Sequence, residues 1–158
     1  MTSTYTQVEA ALFALLATAL ATVTGAPVLE LDEPRLADPA EVDDAGDVEN
    51  RFRAVLMPGR IDRSEQQLVN PPPWQLVTTF RVGLHGLGSK DAERRALVRA
   101  MASALATAID TDFTLDGAAS YATTESLDTD TAKEAGFAPE NLLDLQIKVE
   151  WDSPTSAG

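Results

Sequence analysis

Three stretches of the chain hold residue types that could do chemistry. The first is GLHGLGS at 83–89, which follows a strand-like run and precedes a helix-like one, where a phosphate loop would sit. A dinucleotide fingerprint needs G-x-G-x-x-G, and a P-loop needs its lysine ahead of the Ser/Thr so that the ammonium reaches the outer phosphates from the first helical turn. Gly83, Gly86 and Gly88 have the wrong spacing for the one, and Gly88-Ser89-Lys90 inverts the order of the other. A strand-to-helix turn with Ser89 as N-cap accounts for the same residues. The second is DTDFTLDG, in which Asp110, Asp112 and Asp116 close on Gly117. Three carboxylates around a turn could hold a hard cation, but solvation of a helix end is the simpler account. The third is the segment 32–50, where Asp43, Asp44, Asp47 and Glu49 stand among eight carboxylates. Their spacing lacks the alternate ligands, central glycine and closing glutamate of an EF-hand.

Nucleophilic and metal chemistry find as little support. The chain has one histidine, His85, with no Gly-x-Ser-x-Gly elbow or other motif tying it to a nucleophile, so it reads as a structural strand-end residue. A single histidine also excludes a multi-histidine metal centre within one chain. The absence of cysteine excludes disulfides, thiolate metal sites and cysteine nucleophiles. The expectation is a protein that is not an enzyme and carries no cofactor.

The elements that would position any site begin with a helix. At 158 residues the chain has the length of a single domain, 1–158. Residues 10–29 hold no charge, yet the first basic residue is Arg35, so no positive n-region precedes them, and Gly25 and Pro27 interrupt the run before membrane-spanning length. Val8, Leu12, Leu15, Leu16, Ala19, Leu20 and Val23 recur at helical spacing, predicting a core helix over 7–24 with Thr6 to Glu9 as capping box and Gly25 as C-terminal cap. Its other face, Ala10, Ala14, Ala17, Thr18 and Ala21, has no charge although the chain is rich in acids. Either a loop of the same chain covers it, or it is a small-residue surface that another subunit approaches.

VLEL at 28–31 reads as a short strand, and 32–50 as an acidic, solvated loop. RFRAVLM at 51–57 reads as a strand that stops at the turn pair Pro58-Gly59; alternation puts Arg51 and Arg53 on one face, ready to meet an acidic surface. A polar arm, 58–73, follows with Arg60 and Arg63 and too few apolar side chains to anchor itself, so it is expected to order against a neighbouring subunit or partner. Trp74 to His85 is the longest strand pattern, with Trp74, Leu76, Thr78, Phe80, Val82 and Leu84 on one face. A second helix over 90–109 buries Leu97, Val98, Met101, Ala104, Leu105 and Ala108 and turns Arg95 and Arg99 outward. Tyr121 to Ser126 forms a weak strand, and Leu143, Leu145, Ile147, Val149 and Trp151 alternate with polar residues in a final strand. The fold class expected is α+β: a mixed or antiparallel sheet of about four strands with two long helices packed on it.

Charge is unevenly placed. Twelve basic and 25 acidic residues leave a formal charge of −13. Residues 1–50 carry −9, residues 51–108 carry +5 and residues 109–158 carry −9. Such a chain does not track nucleic-acid phosphates through its overall field. With 25 Ala, 16 Thr, nine Arg and three Lys, the composition suits a proteome working in concentrated salt.

The order of these elements resembles a known family. An N-terminal helix leading to PVLEL, the segment FRAVLMPGR, the strand WQLVTTFRVGLHGLG feeding a long helix, then AIDTDFTLDG and a final amphipathic strand are similar to the tail terminator proteins of long-tailed viruses, of the minor tail protein U type. The resemblance spans nearly the whole chain and is one of order and hydropathy; the loop 32–50 is longer than the family pattern. It implies a virion structural protein at the tail–neck junction. Copies would form a ring, a hexamer, that stops tail-tube growth, with the tail-tube protein and a neck or head-completion protein as partners. DNA would pass through the lumen without specific binding, and no membrane is involved. With the high-salt composition it implies a halophilic host such as a haloarchaeon. A neck or tail-completion protein of the same virion, and more remotely a small cellular ligand-binding protein, are the alternatives.

Overall fold

The computed structural model describes residues 2–31, 50–63, 73–88, 90–129, 133–135 and 138–158, and for 128–141 only the backbone. In chain order the elements are α1 (Tyr5–Ala21), β1 (Leu29–Leu31), β2 (Arg51–Arg63), β3 (Trp74–Leu87), α2 (Asp91–Thr111), β4 (Tyr121–Thr129), β5 (Lys133–Ala135) and β6 (Ala138–Ser153). The strands form one mixed sheet in the order β1-β2-β3-β6-β4, with β5 paired to β6. β1 runs parallel to β2 and every other pairing is antiparallel. The fold is thus α+β, with one more strand on its main path than the four expected, and β5 beside it.

Alternation builds the core. The register sets Leu76 against Trp151, Phe80 against Ile147, Val82 against Leu145 and Leu84 against Leu143, so the apolar halves of β3 and β6 share one face. Val8, Leu12, Leu16 and Leu20 of α1 and Val98, Met101, Leu105 and Ile109 of α2 close over that face in a single buried cluster. Each such side chain contributes about 1.5–3 kcal/mol by leaving water.

Local chemistry shifts several expected boundaries. Helix α1 starts two residues early, because Thr4 and Gln7 form the capping box in place of Thr6 and Glu9. The Thr4 hydroxyl accepts from the Gln7 N–H at 3.3 Å, and the Gln7 side chain accepts from the Thr4 N–H at 2.8 Å. It ends at Ala21 with Thr22, not Gly25, as its C-cap, the Thr22 hydroxyl donating to the Ala19 carbonyl at 2.7 Å; Gly25, three residues on at φ +82°, turns the chain toward β1. Strand β2 does not stop at Pro58-Gly59: the pair forms a bulge between Met57 and Arg60, and pairing with β3 resumes through Arg63. Pro58 is tolerated because β1 covers β2 only from Ala54 to Leu56. Gly59 is required because a Cβ there would lie 2.9 Å from the Thr79 carbonyl carbon. Residues 58–63 of the expected arm are therefore sheet, while 64–72 lie outside the described residues, as does the acidic segment 32–49.

At the corner between β3 and α2 the N-cap residue is Lys90, without a side-chain cap of its own. Ser89, the expected cap, lies outside the described residues. The Asn50 amide clamps the N-cap residue itself, tying the start of β2 to the corner: it accepts from the Lys90 N–H at 3.2 Å and donates to the Lys90 carbonyl at 3.1 Å. On α2, Val98, Met101 and Leu105 are buried as their spacing predicts, Leu97, Ala104 and Ala108 are half-buried, and Arg95 and Arg99 are exposed.

Candidate interaction surface

Among the described residues the groups singled out for chemistry are not assembled into a site; Ser89, Asp43, Asp44, Asp47 and Glu49 lie outside the described residues. By register His85 of β3 lies between Arg53 of β2 and Leu142 of β6. Asp112 spends its carboxylate on its own turn: it accepts from the Thr114 hydroxyl at 3.2 Å and from the Asp116 N–H at 3.0 Å. Leu115, Asp116 and Gly117 follow in left-handed conformation at φ 50°, 56° and 84°. Burial of the Leu115 side chain offsets the strain this places on a non-glycine residue. Among the described residues no three His, Asp or Glu side chains are grouped to hold a metal ion.

The surface divides into a helical layer, an open sheet face and two sheet edges. On the helical layer Ala10, Ala14, Thr18 and Ala21 are exposed and Ala17 is half-buried. Beside them lies a wide, shallow groove of about 560 Å³ between the helices, bounded by Leu15 and Thr22 of α1 and by Ala100, Ser103, Ala104 and Thr107 of α2 among others. Small side chains thus continue from one helix to the next. Among the described residues no helix is long and apolar enough to cross a membrane.

The open face of the sheet is polar and laced with ion pairs. Arg53 meets Glu30 of β1 at 2.6 Å, Arg81 grips Asp144 across β3 and β6, and Lys148 lies 3.1 Å from Glu150. Exposed or half-exposed pairs of this kind are worth about 0–1 kcal/mol each. Arg51 is exposed on the same strand face as Arg53, whose guanidinium is thus engaged within the chain. Arg60 is 87% exposed and pairs with Asp62 at 2.9 Å, and Arg63 lies over the Trp74 ring at 4.9 Å.

Two features escape a reading of the sequence. Arg94 is fully buried at the β3–α2 corner, where its guanidinium donates to the Gly88 carbonyl and pairs with Asp91 at 2.6 Å. Gly86 makes room for it, since a Cβ there would lie 2.9 Å from Arg94 Cγ. The other feature is an exposed aromatic pair, Phe113 and Tyr121, tilted at 5.8 Å beside β4. A phenylalanine within the polar run DTDFTLDG was the available signal. No family model matches the chain, and no curated protein matches it either.

Proposed function

We propose that the chain is a virion structural protein, a tail terminator: a ring of six copies that caps the tail tube and joins it to the neck. The observation that carries this reading is the order of elements, from PVLEL through FRAVLMPGR and the central strand to DFTLDG and the last strand, which resembles that family over nearly the whole chain. The uncharged outer face of α1 in so acidic a protein supports it, because small side chains let a partner come close without stripping water from charges. The acidic balance supports it as well, since a lumen that does not bind phosphate lets DNA slide.

The test is tube growth. Tail-tube subunits polymerised with this chain present should give short tubes blunted at one end by an added ring under the electron microscope. Tubes of unchanged length, with the chain left in solution, would contradict the reading. Binding instead to a portal adaptor would move the chain to the neck.

A further inference from the structure

Six large apolar side chains are exposed among the described residues, and five of them lie at the two ends of the strand order. Val28, 84% exposed, and Leu31 mark the β1 end. Phe113, 47% exposed, Tyr121, 49% exposed, and Leu127 mark the β4 end. Phe113 belongs to that edge because its carbonyl accepts the Ala122 N–H at 2.7 Å.

Charge divides the same way. The short β1 leaves both ends of β2 as sheet edge among the described residues; these ends carry Arg51, Arg53, Arg60 and Arg63, with Glu30 of β1 paired to Arg53 and Asp62 to Arg60, so the described edge keeps an excess of basic side chains. At the opposite end residues 109–129 carry five acids and no basic residue. Edge charges in general keep sheets from pairing with their neighbours. That protection works when both edges carry the same sign; with opposite signs, one edge attracts the other. Apolar side chains among the charges supply area that a purely protective edge would not expose.

We infer that copies of this chain associate head to tail, the β4 edge of one (Phe113, Tyr121, Glu125) against the β1–β2 edge of the next (Val28, Arg60, Arg63). The inference deepens the ring reading and rests on it for closure, since a heterologous joint closes into a ring only if its rotation does. The joint uses sheet edges and leaves the small-residue helical layer for a different partner.

Two double variants test it, both at exposed positions. Tyr121→Lys with Glu125→Lys reverses the β4 edge, and Val28→Glu with Arg60→Glu reverses the other. Each alone should fail to assemble at concentrations where the unaltered chain does, its dissociation constant raised at least about tenfold by analytical ultracentrifugation, the scale of one lost charge contact. Mixed one to one they should associate, each supplying the edge the other lacks. Melting followed by circular dichroism checks that both fold, and Leu127→Lys provides a second β4 lesion. Assembly of either variant alone, or no association on mixing folded variants, overturns the edge joint. If rings of the variants form as before, the ring reading survives with its joint elsewhere. If the unaltered chain stays monomeric even with tube protein, both fall.

Discussion

Arg94 and Tyr5 tie the helices to the sheet through polar contacts, the Arg94 guanidinium to the Gly88 carbonyl and the Tyr5 hydroxyl to the Gly59 N–H. The Arg94 guanidinium is buried while its partner Asp91 is about half exposed, so the two ends of the pair are not equivalent. Removing Asp91 takes a counter-charge from a desolvated cation, whereas replacing Arg94 by an apolar side chain removes the charge itself. Asp91→Ala should therefore cost about 2–4 kcal/mol, and Arg94→Met less, by urea unfolding. A loss near zero for Asp91→Ala would mean that the pair behaves as a surface one. Tyr5 stacks on Phe80 at 5.7 Å, and its hydroxyl accepts the Gly59 N–H at 3.1 Å, fastening the bulge of β2 to the start of α1. Tyr5→Phe keeps the ring and loses the acceptor, at about 1 kcal/mol. Burial, chiefly, pushes the phenol above its ordinary value of 10; the Gly59 N–H pulls it part of the way back, and Glu9 adds to the rise. The folded value is the higher one, so the contribution is whole below pH 10 and declines as pH rises through 10 toward the folded value. Melting temperatures between about pH 9 and 11 should fall less steeply for Tyr5→Phe than for the unaltered chain.

Elements with a strong period are legible in the sequence: the faces of β3 and β6, the stripe of α1 and the central positions of α2 all follow from spacing. What stays hidden depends on contacts between elements. Thr4-x-x-Gln7 and Thr6-x-x-Glu9 satisfy the same capping pattern, and only the chain's path from Ser3, whose N–H bonds the Asp152 carbonyl at 2.8 Å, favours the first. Pro58-Gly59 is a turn signal that becomes a bulge because β3 extends far enough to pair beyond it. Gly59→Ala should therefore destabilise by more than an ordinary strand substitution, about 1–3 kcal/mol. It should also raise hydrogen exchange at Arg60 to Arg63 ahead of the rest of β2. No periodicity could show that β6 inserts between β3 and β4, and with it the opposition of a basic and an acidic edge. The Ala10, Ala14, Ala17, Thr18, Ala21 face is legible as uncharged, and none of its five residues is fully buried. Ala14→Glu, at an exposed position, should leave unfolding free energy within about 0.5 kcal/mol of the unaltered chain and weaken binding to the tail tube. Unchanged binding would remove this face from the partner surface.

The molecule as a whole is a strongly acidic body whose few basic residues gather in the central part of its chain. Six copies of a −13 chain carry −78, and that repulsion extends well beyond contact distance. Salt removes it first: the Debye length shortens from about 10 Å at 0.1 M to about 3 Å at 1 M. Close contacts between edges lose less, and burial of Val28, Phe113 and Tyr121 loses nothing to screening. Association is thus expected to strengthen with salt, although oppositely charged edges guide it. The direct measurement is native mass across a salt series, by light scattering, with and without tube protein. The expected result is a species of six 16.8 kDa chains at high salt that dissociates to the monomer as salt is withdrawn. A monomer at every salt concentration, tube protein included, would contradict the ring.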